Sequence, residues 1–128
     1  VLDLDETLIH AKAHNFHKSC VQIPVQIFNK NALVYILLRP GLREFLDTMK
    51  KYYTLYVYTA SEKTYAETIL VKFGLYDYFE KIFSRGYCYY SAGKGYSKDL
   101  QLLNLPLKRL VFIDVNNEMR FQILIFLV

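Results

Sequence analysis

The chain is poor in cysteine, and the two it has, Cys20 and Cys88, stand far apart in no C-x-x-C pattern. That scarcity gives no sign of a zinc site or a disulfide framework, and makes a reducing, intracellular compartment (nuclear or cytoplasmic) the expectation. No run approaches the ~18 apolar residues that a membrane-spanning helix requires, so no membrane segment is expected in this chain. Neither a Lys/Arg block nor an alternation of basic and aromatic residues is present, which leaves no basis for direct nucleic-acid binding. Acids are outnumbered by bases, 12 to 16, for a formal charge of +4. Such an excess favours anionic partners through attraction over the whole surface, or is simply solvated lysine. Internal repeats and low-complexity tracts are lacking too. What is present is 128 residues, 53% of them hydrophobic. That is enough for one core and too little to divide, so a single domain over 1–128 is expected.

Strand and helix patterns alternate along the chain. Val1 to Leu4 reads as the end of a buried strand. Residues 10–19, with His10, His14 and His17 among Lys and Asn, read as a solvated loop. Val21, Ile23, Val25 and Ile27 then alternate with Gln22, Pro24 and Gln26, a period of two in which Pro24 demands an edge strand. Asn29-Lys30-Asn31 is a turn, and Leu33 to Leu38 returns, so a hairpin is expected over 21–38. Arg39-Pro40-Gly41 opens a helix with Leu42, Phe45, Leu46 and Met49 on one face. Tyr53 to Tyr58 reads as a buried strand ending at Thr59-Ala60-Ser61. Ser61 is the expected cap of a second helix, whose apolar face is Tyr65, Ala66, Ile69, Leu70 and Phe73 and whose stop is Gly74. Phe83 to Tyr90 is β-prone, 91–97 reads as a loop around Gly93 and Gly95, and Leu110 to Ile113 is a further strand ending at Asp114. The apolar run Ile123 to Val128 reads as another buried strand. This order predicts an α/β fold with a mostly parallel sheet and right-handed crossovers. In such sheets ligands bind beyond the carboxyl ends of the strands, where Asp3, Asp5, Thr59 and Asp114 are expected to meet.

The segment DLDETLIH, residues 3–10, carries the chemistry. Asp3 and Asp5 lie two apart, so an extended strand end can turn both carboxylates toward one spot. Two carboxylates forced together require a proton or a cation between them, and oxygen ligands of this kind suit Mg²⁺. A carboxylate can attack phosphorus and form an aspartyl-phosphate. A second can protonate the leaving alcohol and later deprotonate water. A hydroxyl and a lysine would hold the phosphate oxygens as charge builds. Asp3, Asp5, Thr59 and Lys98 suit these tasks, with Asp114 as a metal ligand. Each residue also has a plain structural alternative: Thr59 ending a strand, Lys98 exposed at a helix start, Arg39 paired with Glu44 or another acid, and Tyr87, Tyr89 and Tyr90 as sheet packing.

DLDETLIH, RPGLREFL, the YTAS at 58–61, GYSKDL and the FID at 112–114, in that order, resemble the haloacid-dehalogenase-superfamily phosphatases. More narrowly the chain is similar to their small C-terminal-domain phosphatase branch, also called NLI-interacting-factor-like. The resemblance runs from Val1 to about Gln122. It implies a Rossmann-like three-layer fold with a β-hairpin insert after the first motif, and a chain incomplete at both ends. It also implies Mg²⁺-dependent removal of phosphate from phosphoserine or phosphothreonine in a protein or peptide. Under it Asp3 is the nucleophile and Asp5 the general acid/base. Thr59, Lys98 and, in R-G-Y-C, Arg85 bind the substrate phosphate, and the hairpin shapes a peptide groove. The metal falls to Asp3, the Asp5 backbone carbonyl and Asp114.

Two departures weigh against full activity, one after Asp114 and one at the end of the chain. There the family is expected to continue with a further strand and a terminal helix after FQILIFLV. A smaller departure, at Glu62, bears on specificity. The position after Asp114, Asp or Asn in the family, is Val115, which cannot coordinate a metal or orient its water; Asn116 would have to substitute. Glu62 stands where some small relatives have an apolar residue that grips a substrate proline, which argues against specificity for the polymerase tail. A catalytically weak or inactive phosphatase-like domain that binds phosphoproteins or acts as a scaffold is the alternative.

Overall fold

The computed structural model describes residues 1–115 and the backbone of 121–125. Three antiparallel strands come first: β1 (Ile9–Lys12), β2 (Val21–Ile27) and β3 (Lys30–Leu38), in the order β1-β3-β2. β1 occupies residues expected to be loop. His10 and Lys12 disguise it, because its pairing (Ile9 opposite Leu38, Lys12 opposite Tyr35) is made with a distant partner rather than signalled locally. Pro24 lies in β2, at the sheet edge, where a missing N–H costs no ladder bond. The β2–β3 turn is tight, with Phe28 and Asn29 both left-handed at φ 51° and 60°. A bulky aromatic there is strained, and it remains because Phe28 is held from outside the hairpin.

α1 (Leu42–Met49) follows Gly41, whose φ of 75° lets the chain turn into the helix. β4 (Tyr56–Tyr58) is shorter than the run from Tyr53 suggests, because residues 51–53 are spent on a turn out of α1. α2 (Lys63–Lys72) begins two residues after Ser61, and its cap is Glu62, without a side-chain cap bond. Ser61 is therefore not the helix cap; its hydroxyl is drawn to Asp5 instead. β5 (Lys81–Phe83) runs parallel to β4. β6 (Cys88–Ser91), in a stretch read as β-prone, and β7 (Gly95–Lys98), largely in the expected loop, form a second hairpin. Gly93 and Gly95, both at positive φ, make its turn, and tyrosines fill its strands. β8 (Val111–Val115) pairs antiparallel with β9 (Phe121–Ile125), so the backbone of the apolar tail is a strand as far as 125. Residues 116–120 and 126–128, Asn116 among them, lie outside the described residues.

Leu2 forms parallel bridges to Val57 of β4 and to Ile113 of β8. Hydrogen bonds from Leu2 N to Tyr56 O (2.8 Å) and from Asp3 N to Ile113 O (3.0 Å) fix it there. The run β5, β4, Leu2, β8 is thus parallel, and Asp3 is the first residue beyond it. Two apolar clusters flank these strands. One joins Ile23, Val25, Val34 and Ile36 of the three-stranded sheet to Ala66, Ile69 and Leu70 of α2 and to Leu46 of α1. The other, Tyr58, Phe83, Leu100, Leu103, Leu110 and Phe112, lies beneath the second hairpin.

Candidate active site

The strand ends deliver Asp3, Thr59 and Asp114 to one place, and β7 ends on Lys98 beside them. Lys98 Nζ lies 2.5 Å from Asp3 Oδ1 and 2.9 Å from Asp114 Oδ2. Asp3 is buried, 7% exposed, and held from a third side by the Thr7 hydroxyl, which donates to Asp3 Oδ2 at 3.3 Å. Burial pushes the Asp3 carboxyl up from its ordinary range to about 6; Lys98 opposes that shift and Asp114 adds to it. The arrangement is a carboxylate kept dry, paired with one cation and faced by a second carboxylate.

Asp5 points elsewhere. Its Oδ2 accepts from the Ser61 hydroxyl at 2.7 Å and its Oδ1 from the Tyr65 hydroxyl at 3.0 Å. The Tyr65 phenol is pushed far above its ordinary value by burial and by the adjoining Asp5. Thr59 is buried, and its oxygen accepts from the Ser61 N–H at 3.0 Å, which leaves its own proton free to donate. The plain reading of Thr59, a strand-end hydroxyl serving local backbone, is thus part of its geometry.

Arg85 is engaged by the segment after β4 and by the hairpins. Its Nε donates to Ala60 O at 2.9 Å and its Nη1 lies 3.5 Å from Glu62 Oε1. The guanidinium sits 4.6 Å from the Tyr96 ring centre and 5.5 Å from that of Phe28, braced between the two hairpin tips. Glu62 also accepts from the Phe28 N–H at 3.3 Å, which is what holds the strained turn. Arg39 donates to the carbonyl oxygens of Thr7 (2.5 Å) and Glu6 (3.0 Å). These bonds brace the turn after Asp5, where Glu6 takes a φ of 65°.

Thr7 is the residue that sequence reasoning missed. Besides its bond to Asp3 it accepts from the Val115 N–H at 3.0 Å, linking the first motif to the end of β8. Its signal was available: a hydroxyl four residues after Asp3 in the same short motif. Among the described residues no group of three His, Cys, Asp or Glu side chains is disposed to hold a metal. Asp3 and Asp114 nevertheless supply two hard oxygen donors at one point, both on Lys98 Nζ. Mg²⁺ takes one or two protein carboxylates and completes its shell with water and phosphate oxygens, so the donor set fits it. Asn116, the further candidate ligand, lies outside the described residues. Two of the three histidines serve other ends: His10 faces Glu6 at 2.6 Å, and the Ser19 N–H donates to His17 Nδ1 at 3.0 Å.

The family model of NLI interacting factor-like phosphatase matches residues 1–123. The chain belongs to that family. Phosphatase Herzog of Drosophila melanogaster is 34% identical over 114 residues, which make up 89% of this chain and 32% of that protein. The human carboxy-terminal domain RNA polymerase II polypeptide A small phosphatase 1 is 33% identical over 114 residues, 89% of this chain and 43% of that protein. The chain thus spans less than half the length of either relative. Among solved structures, fission yeast RNA polymerase II CTD phosphatase Fcp1 bound to beryllium fluoride superimposes with a TM-score of 0.72 at 23% identity. That match covers 92% of this chain and 37% of the other, and it shows that the two share an α/β fold. No helix among the described residues is long and apolar enough to cross a membrane.

Proposed function

We propose that this domain removes phosphate from phosphoserine or phosphothreonine in a protein or peptide, through a phosphorylated Asp3. The observation that carries this reading is the buried Asp3 carboxylate, 2.5 Å from Lys98 and across that ammonium from Asp114. An Asp3 oxygen attacks phosphorus and the bond to the substrate oxygen breaks. Asp5 gives that oxygen its proton. Water then attacks the phosphoryl group, Asp5 takes the water's proton, and the Asp3–phosphate bond breaks to release inorganic phosphate. Lys98 and the Thr59 hydroxyl hold the phosphate oxygens as charge builds, with Arg85 at the edge of the site. Mg²⁺, held by Asp3, Asp114 and the Asp5 carbonyl with help from Asn116, would neutralise phosphate charge that otherwise repels the nucleophile. A nuclear or cytoplasmic location accords with such a substrate.

A second reading has its own observation. Lys98 bridges the two carboxylates at the point a cation would share, and Val115 offers only its main chain to the site. A domain locked in that state would bind phosphoproteins without hydrolysing them. Turnover of 4-nitrophenyl phosphate separates the two. The expected result is Mg²⁺-dependent hydrolysis that Asp3→Asn lowers by at least about 10³-fold. Hydrolysis that survives in Asp3→Asn or in chelator removes the Asp3 reading; phosphopeptide binding with no turnover in the unaltered protein selects the second.

A further inference from the structure

Between the three-stranded sheet and the start of α2 lies a cavity of about 260 Å³, walled by Ala11, Ile27, Val34, Glu62 and Arg85. Ser61 and Tyr65 line it as well. These are also the two residues whose hydroxyls hold the Asp5 carboxylate, one on each oxygen. Ser61 stands two residues before α2 and Tyr65 in its first turn, and the shared Asp5 carboxylate brings their hydroxyls together. The Tyr65 ring is 9% exposed and has little room to move independently of the cavity wall. One side of Tyr65 thus faces the place a peptide side chain would fill, while its hydroxyl holds the proposed proton donor.

Resting on the function proposed above, we infer that Tyr65 is a positioning residue that couples filling of this groove to the orientation of Asp5. A peptide side chain entering the cavity presses on the ring, and the hydroxyl carries that displacement to the Asp5 Oδ1. Binding energy from a part of the substrate remote from phosphorus is thereby spent on placing the acid, which raises kcat rather than lowering KM. Small phosphate esters that leave the groove empty forgo that gain, and aryl oxides leave with little need of a proton.

The test is Tyr65→Phe, which keeps the ring and removes the hydroxyl, assayed on a phosphoserine peptide and on 4-nitrophenyl phosphate. The expected loss on the peptide is about tenfold, lies in kcat, and exceeds the loss on the aryl ester by about fivefold or more. Equal losses on both substrates, or a loss confined to KM, overturn the proposal. A second readout needs no turnover: the carboxyl carbon resonance of Asp5, followed as a non-hydrolysable phosphonate peptide is added. It should move in the unaltered protein and stay in place in Tyr65→Phe. Equal movement in both, or movement in neither, overturns the coupling. Failure of the Asp3 reading shows differently, as turnover that persists in Asp3→Asn or is absent throughout, and the Asp5 resonance still decides the role of Tyr65.

Discussion

At Asp3 two forces oppose each other: burial favours the neutral carboxyl, and Lys98 favours the anion. The balance leaves the group titrating near 6, above its ordinary 3.8. Because the folded-state value is raised, the stability it contributes is fully present below about pH 4 and is lost as pH rises through about 6. Asp3→Asn is therefore expected to stabilise the fold at pH 8 by on the order of 2 kcal/mol, with the gain shrinking to nothing near pH 4. Thermal unfolding across that range checks it, and a gain that does not vary with pH would refute the burial argument. If Asp3 is also the nucleophile, kcat/KM falls as pH drops through the same region. Much of this site was legible one residue at a time. Asp3, Thr59, Lys98 and Asp114 are residue types with chemistry at or near strand ends. Asp5, expected to turn its carboxylate to the same spot as Asp3, gives it to Ser61 and Tyr65 instead. The partnerships were not legible: Ser61 has the composition of a helix cap, but its Asp5 partner lies 56 positions earlier.

Among the elements, the second hairpin has the largest consequence, since it carries Lys98 to Asp3. It is anchored by Tyr58 of β4, which is wholly buried. The Tyr58 hydroxyl donates to Tyr87 O at 2.6 Å and accepts from the Asp99 N–H at 3.1 Å. Tyr58→Phe leaves both groups short of a partner in the interior and is expected to cost about 1–3 kcal/mol. It should also raise KM for phosphate esters, because Lys98 adjoins Asp99. Chemical denaturation and steady-state kinetics measure the two effects; a variant as stable as the parent would show that water replaces the hydroxyl. The β-prone first flank was visible, but the second strand was not, because Gly93 and Gly95 are equally typical of loops and only pairing of Cys88 with Lys98 and Tyr90 with Tyr96 makes it a strand. β2 and β3 were visible because their apolar alternation is local. β1 was not, because only β3 makes it a strand.

For the molecule as a whole, the three-stranded sheet shares one apolar cluster with both helices. Ile36, on its central strand, is fully buried in that cluster. Ile36→Ala is expected to destabilise by about 2–5 kcal/mol, and to do so in one transition that takes the site with it. Calorimetry together with loss of near-ultraviolet tyrosine signal tests this; two separate transitions would mean that the sheet folds by itself. The general architecture was readable because strand–helix alternation admits few packings. The bracing of Arg85 by both hairpin tips was not, since Phe28 and Tyr96 lie 68 positions apart and neither belongs to a motif.

The two-sided bond of Thr7 reaches beyond stability. Its hydroxyl ties Asp3 to the Val115 amide. Modification of Asp3 alters the charge on the oxygen that Thr7 serves, and the Val115 nitrogen feels the change through a single intervening hydroxyl. If Asp3 is the nucleophile proposed above, the Val115 amide is thus a spectator whose resonance should shift when Asp3 is phosphorylated, a signal that amide spectroscopy can follow.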